Sequence, residues 1–202
     1  MEKVDFSINK HKWHPSLIPG SIVLISTYNI QGEPNIAPKS LIQMVSIDPS
    51  IIMFSGTKNN TTENNILATK CFTVNFIDSS MASKVYDCIK FFGQERIKKT
   101  GFTLTKASKI NAPLVNECKA HLECMLHSYK QIGKGFVIFG EIVHASIWSQ
   151  ILNVDFEKRY KLLDQIIYLE NDLFATINNI SKINFSKKEY LDNLAKFQQQ
   201  TR

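Results

Sequence analysis

Ser21 to Ser55 reads SIVLISTYNIQGEPNIAPKSLIQMVSIDPSIIMFS. Extended runs and turns follow one another here with no helical stretch between them. Ser21–Tyr28 is short and rich in β-branched residues, the composition of a strand. Gln31-Gly32-Glu33-Pro34 carries turn chemistry. Asn35–Ser46 is extended and contains Pro38. Proline donates nothing to a ladder, so this segment belongs at an edge or a bulge, with backbone free for a ligand. Asp48-Pro49 turns the chain again, and Ile51–Ser55 reads as a buried strand.

Working outward, residues before Pro19 form an arm leading into the first strand. Gly56–Asn65 is polar and runs into a short helix from Thr62 to about Thr69, with Asn60 and Glu63 spaced as a capping box. Cys71–Ile77 alternates and reads as a strand. Ser80 to about Phe92 is an amphipathic helix, with Met81, Val85, Cys88 and Phe92 near helical spacing. Glu117–Tyr129 and Phe136–Trp148 are two long strands joined by a tight turn at Gly133-Lys134-Gly135. Ile166–Leu169 is a short strand. Ser186 and Glu189 form a second capping box, opening a final helix with Tyr190, Leu194 and Phe197 on one face. Many strands with few helices between them argue against repeated βαβ units. The expected class is mainly β with peripheral helices, an antiparallel barrel.

Composition agrees with a globular chain: 202 residues, 44% hydrophobic and 21% charged. These values exclude a mainly disordered, collagenous or coiled-coil chain. Mean hydropathy is −0.13, and no run approaches the roughly 18 to 20 apolar residues of a membrane span. The N-terminal MEKVDFSINKHKWHPS lacks the apolar stretch of a secretory leader. A cytoplasmic protein without a membrane partner is the expectation. The formal net charge of +6 and the pI near 9.1 favour an anionic partner, which nucleic acid, a phosphate-bearing ligand or a lipid surface would all satisfy. The basic excess between Arg96 and Lys134 is spread out and reads as a solvated face.

Little in the chain resembles a catalytic constellation. Cys71, Cys88, Cys118 and Cys124 contain no C-x-x-C pair and read as reduced thiols. Cys118-x2-His121-x2-Cys124 has metal-like spacing, but on a strand Cys118 and His121 point to opposite faces. Core cysteines are the expectation, and His11, His14 and His144 are isolated. There is no nucleophile elbow, no P-loop and no G-x-G-x-x-G. Gly56–Asn65 is more informative. It leads from an apolar strand into a helix N-terminus, where free N–H groups and a partial positive charge suit a phosphate. Thr57, Thr61 and Thr62 add hydroxyls, and Lys58 adds a cation. Glu63 opposes an anion unless it folds back into the capping box, and an ordinary capped loop is the alternative.

Several short motifs now fall in an order that resembles a known family. These are Asn35-Ile36-Ala37-Pro38-Lys39-Ser40, Val45-Ser46-Ile47-Asp48-Pro49, Thr62-x-x-Asn65-Ile66 and Phe72-Thr73-Val74-Asn75. They are followed by Gly101-Phe102-Thr103, Ala112-Pro113, Glu117-Cys118, Leu122-Glu123-Cys124, Ile132-Gly133 and Gly140-Glu141-Ile142-Val143. From about Trp13 to Ile147 the chain is similar to the flavin reductase-like, FMN-binding split-barrel proteins of the flavoredoxin type. Each motif is weak alone; their order and spacing are specific.

The resemblance implies a six-stranded Greek-key split barrel over residues 1–150, a homodimer, and one FMN per subunit near the dimer interface. Residues 151–202 then form a C-terminal extension on the barrel or the dimer. By the same resemblance, Asn35, Ala37, Pro38, Lys39 and Ser40 run along the isoalloxazine. Thr62, Asn65 and Ile66 hold the phosphate, with Ser55 and Thr57 lining the approach and Lys58 and Thr61 beside them. The implied activity is hydride transfer from NAD(P)H to flavin. An FMN-binding electron carrier without reductase turnover is the alternative, and a non-catalytic nucleic-acid-binding barrel is disfavoured because no exposed aromatics interleave with lysines.

The chain departs from the family pattern in three places. Lys39 stands where many relatives have an aromatic residue. Asn60 and Thr61 replace a basic residue or His before Thr62, and Lys134-Gly135 stands where some relatives carry a His.

Overall fold

The computed structural model describes residues 2–6, 17–169, 171–181 and 186–200. His11, Trp13 and His14 lie outside the described residues. The strands in chain order are β1 (Gly20–Ser21), β2 (Val23–Tyr28), β3 (Pro34–Lys39), β4 (Ile42–Ser46), β5 (Ile51–Thr57), β6 (Cys71–Phe76), β7 (Leu104–Lys106), β8 (Pro113–Val115), β9 (Ala120–Ile132), β10 (Gly135–Ile147), β11 (Ile166–Tyr168) and β12 (Phe174–Thr176). Seven of them make one antiparallel sheet in the order β3-β2-β6-β9-β10-β5-β4.

This order forces the sheet to curl. β3 and β4 sit at opposite edges, yet only Ser40 and Leu41 separate them in the chain. In a flat sheet of seven strands about 4.8 Å apart, the edges would be roughly 29 Å from each other. The three Cα steps from Lys39 to Ile42 span at most about 11 Å. The edges must therefore come together, and the amide of Ser55 donates to the Leu41 carbonyl at 3.0 Å at that corner. The single extended segment expected over Asn35–Ser46 is thus two strands, which raises the expected strand count by one.

Two apolar clusters follow from the curl. Val23 and Ile25 on one face of β2 join Ile52, Phe54, Ile66, Phe72, Val74, Cys124, Phe136 and Ile138 inside the barrel. Leu24, on the other face, joins Ile36, Ile77, Met81, Val85, Cys88, Phe102, Val115, Cys118 and Ile166. Both faces of β2 are buried, so its sequence reads as a continuous apolar run instead of alternating. A Cβ added to Gly140 would lie 2.4 Å from Phe72, whose ring occupies that space. Cys118 precedes β9 and belongs to the second cluster; Cys124 belongs to the first. Both are core cysteines, as expected, but of different clusters.

The helices span 61–69, 82–90, 93–100, 149–152, 156–163 and 187–200. The expected helix over Ser80–Phe92 is a 3-10 turn, Ser79–Met81, followed by Ala82–Lys90. Its start is set by Asp78, which accepts from the Ser80 amide at 3.0 Å. The last helix opens as expected, with the Glu189 amide donating to Ser186 Oγ at 3.2 Å. Gly93–Thr100 has Ile97 as its lone apolar residue. It carries Arg96, which is buried and not part of a solvated basic face. The Arg96 guanidinium donates to the Phe91 carbonyl at 2.8 Å and to the Ile36 carbonyl. Gln94 Nε2 caps the Pro34 carbonyl at 3.0 Å. This helix thus takes up outward-facing carbonyls of the β3 edge. A second hairpin, β7–β8, is pinned from within: Ser26 and Thr73 hydroxyls both donate to the Pro113 carbonyl at 2.6 Å. Asn75 Oδ1 accepts from the Val115 amide at 2.8 Å. β1, β11 and β12 form a separate three-stranded sheet.

Candidate functional site

β3 alternates its side chains between two environments, and this alternation builds the site. Asn35 and Lys39 face the helix Thr61–Thr69. Asn35 Nδ2 donates to Thr62 Oγ1 at 2.9 Å. Lys39 Nζ meets Glu63 Oε1 at 2.5 Å, with side chains only 10% and 1% exposed. Pro38 and Ser40, together with Lys39, line a cavity of about 820 Å³. Its other walls come from Val85, Tyr86 and Ile89 on the Ala82–Lys90 helix, and from Ile166, Tyr168 and Phe174 of β11 and β12. A largely apolar cleft of several hundred Å³ with few polar groups is the usual form of a small-molecule site. Gln94 and Arg96 cover the edge strand at Pro34 and Ile36, and the cavity begins at Pro38, which has no N–H.

The residues expected to hold the phosphate divide into two groups. Thr62, Asn65 and Ile66 are buried. Their side chains pack the helix onto the barrel: Asn65 Nδ2 donates to Thr27 Oγ1 at 3.0 Å, and Ile66 lies in the inner core. Thr57, Lys58 and Thr61 are exposed at the mouth of the loop, and Ser55 and Ala37 lie deeper.

The Asn60–Glu63 capping box does not form. Asn60 makes no side-chain bond to the helix. Its amide goes to Thr57 Oγ1 at 2.7 Å, and Glu63 goes to Lys39. The outcome has a physical reason: a charged partner at contact distance in a buried site outweighs a reciprocal cap on one exposed turn. The consequence is an uncapped first turn, whose N–H groups have no helical acceptor. The Glu63 charge beneath it is neutralised by Lys39.

Glu63 is the residue that the sequence reading left out of the site. Its only signal in the sequence is a carboxylate at capping-box spacing in a polar loop. Gly56 completes the arrangement, because an added Cβ there would lie 1.8 Å from Glu63 Oε1 and 2.6 Å from Lys39 Nζ. The β11–β12 residues were also missed, since they lie beyond the motifs.

A second polar cluster lies on β9 and β10. Glu123 is 1% exposed. Its carboxylate accepts from the amides of Ser108 and Lys109 at 2.9 and 2.7 Å, and from Ser108 Oγ at 2.8 Å. His144 Nδ1 is 3.1 Å away, so His144 is not isolated. Burial pushes the Glu123 carboxyl up, but these donors and His144 outweigh it and hold the group below its ordinary value. His121 is pushed down by burial and contacts the Val115 carbonyl at 2.9 Å. The four cysteines are free and buried. Burial raises each thiol, Cys88 to about 11, which keeps them protonated and inert. Among the described residues no three metal-ligating side chains cluster, and no helix is long and apolar enough to cross a membrane.

Comparison with known proteins identifies the family and the fold. The flavin reductase like domain matches residues 16–163, and the chain belongs to that family. An uncharacterized protein of Aquifex aeolicus is 33% identical over 153 residues, covering 70% of this chain and 78% of its own. Among solved structures, a Shewanella frigidimarina protein described as having a split barrel domain superposes with a TM-score of 0.78 at 18% identity, over 91% of this chain and 95% of that one. The flavoredoxin of Methanosarcina acetivorans gives 0.77 at 22% identity, over 95% and 100%. The fold is therefore the split barrel, and family membership implies a flavin.

The residues present fit that group on three observations. The cavity, about 820 Å³ and lined by Pro38, is large enough for a three-ring system. The first helical turn has uncapped N–H donors next to Lys58 and Thr61. Asn35 Oδ1 and Glu63 Oε2, on either side of the strand–helix junction, are buried without a partner.

Proposed function

We propose that the chain is an FMN-binding oxidoreductase that takes hydride from NAD(P)H and passes electrons to an acceptor. The observation that carries this reading is the cavity opening where the edge strand is uncovered, at Pro38 and Ser40. Flavin supplies the hydride-accepting chemistry when bound. The protein's part is to bind, orient and exclude water.

Pro38 and Ser40 offer a flat wall and a hydroxyl to the ring. Val85, Ile89 and Ile166 remove water from one side of the slot. Tyr168 and Phe174 leave room for a second flat ring against the first. The N–H groups of Thr61, Thr62 and Glu63, with the Thr61 hydroxyl and the Lys58 ammonium, hold the phosphate. No side-chain acid or base is required for hydride transfer itself.

The test is an absorbance spectrum of the purified protein after FMN addition and desalting, followed by anaerobic mixing with NADH and NADPH. Retained flavin bands at about one per chain that bleach with either nucleotide support the enzyme. Retained bands that do not bleach favour the electron carrier. A colourless protein overturns both.

A further inference from the structure

Lys39 and Glu63 form the most buried ion pair among the described residues, and it lies where the ring wall meets the phosphate loop. One end is on β3 between Pro38 and Ser40, both cavity-lining. The other is in the uncapped first turn of the Thr61–Thr69 helix. The pair rests on the bare backbone of Gly56, and the Lys39 ammonium lies 5.6 Å from the centre of the Phe54 ring. One Glu63 oxygen takes Lys39; the other, Oε2, is buried with no partner. The carboxylate is therefore only half compensated by hydrogen bonds, and Lys39 alone cancels its charge.

A lone carboxylate under the first turn of a helix would oppose any anion drawn to the N–H groups there. Water screens it poorly, because the side chain is 1% exposed. A lone ammonium in its place would attract any anion indiscriminately. With both present the formal charge is zero, and the backbone donors face the ligand without a competing field.

We infer that Lys39 is a specificity-determining residue for phosphorylated flavin: by neutralising Glu63 it permits a phosphomonoester at the helix N-terminus. Glu63 in turn holds Lys39 in place as a positioning residue. This rests on the flavin reading above, which fixes the ligand as a ring bearing a phosphate.

The experiment compares dissociation constants for FMN and riboflavin, which differ by the phosphate, in the full chain and in Lys39→Met, Glu63→Gln and the double variant. Lys39→Met leaves the carboxylate alone. It is expected to weaken FMN roughly tenfold, about 1.4 kcal/mol, relative to riboflavin. Glu63→Gln is expected to shift the ratio the opposite way, towards FMN. The double variant, which removes both charges, returns the ratio to that of the wild type and keeps the comparison available if a single variant folds poorly. Parallel loss of both flavins in the variants, with an unchanged ratio, means that the pair only braces the loop and overturns the inference alone. A wild-type chain that binds neither flavin overturns the flavin reading and this inference with it. A double variant that folds but keeps the ratio of Lys39→Met also overturns it.

Discussion

Glu123 shows how a single buried carboxylate can organise a loop. Its two oxygens collect two amides, one hydroxyl and His144, tying Ser108 and Lys109 to the middle of β9. A carboxyl held below its ordinary value contributes stability that is complete above the unfolded value of about 4.3 and is lost as pH falls through the folded value. The melting temperature is therefore expected to drop on acidification below about pH 4. Glu123→Gln, which keeps the shape but not the charged acceptor, is expected to cost about 1–3 kcal/mol near neutral pH and to flatten that acid limb. Thermal melts from pH 7 to pH 3 check both statements. A wild type and variant with parallel pH profiles would remove Glu123 from the account.

At the scale of elements, the hairpin β11–β12 completes the cavity that β3 opens. Tyr168 and Phe174 come from opposite strands and are paired in register, so they present one wall together. β11 is held to the barrel by β1, through Gly20↔Tyr168 and Ser21↔Ile167. Ser79 and Asp164 clamp the same region, with the Ser79 hydroxyl donating to Asp164. If this wall positions a second ring, Tyr168→Ala and Phe174→Ala are expected to raise the Michaelis constant for the pyridine nucleotide several-fold. FMN affinity stays unchanged, because removing contacts made to the substrate alone affects only its binding. Steady-state kinetics beside flavin titration measures the two quantities separately. Equal losses in both would assign the hairpin to the flavin itself.

Over the whole molecule, the edge strand β4 and the residues flanking it leave apolar side chains in solvent. Leu41, Met44, Val45 and Ile47 are 50%, 55%, 47% and 80% exposed. Exposed apolar edges are aggregation-prone unless covered, and a second copy of the chain is the cover proposed here. Light scattering is expected to give twice 23.1 kDa. The Val45→Asp, Ile47→Asp double substitution is expected to shift it towards the monomer while circular dichroism stays unchanged. A monomeric wild type would reject this interface.

Much of this was legible in the chain. Ser21–Tyr28, Cys71–Ile77 and the two long strands each carry a local pattern: β-branched runs, alternation, and a glycine-flanked turn. Such patterns depend on neighbours in sequence, and the barrel class followed from them. Pro38 announced an edge because its missing N–H is a property of one residue. The ordered motifs from Asn35 to Val143 were enough to indicate the family, since motif spacing is a sequence property.

Other features depended on distant contacts. Asn60 and Glu63 had the spacing of a capping box, but Lys39, brought close by the curl of the sheet, took the carboxylate away. Glu123 fell at an ordinary polar position of an alternating strand; its burial required the loop at Ser108. Gly93–Thr100 is polar, with one apolar residue, and is held by what Arg96 and Gln94 do for the carbonyls of β3. Tyr168 and Phe174 became cavity walls only because β1 pairs with β11. Local propensity and hydrophobic pattern thus determined which segments are strands and which family they compose. The charge partners and the walls of the site were decided by tertiary structure, because they join residues that sequence distance keeps apart.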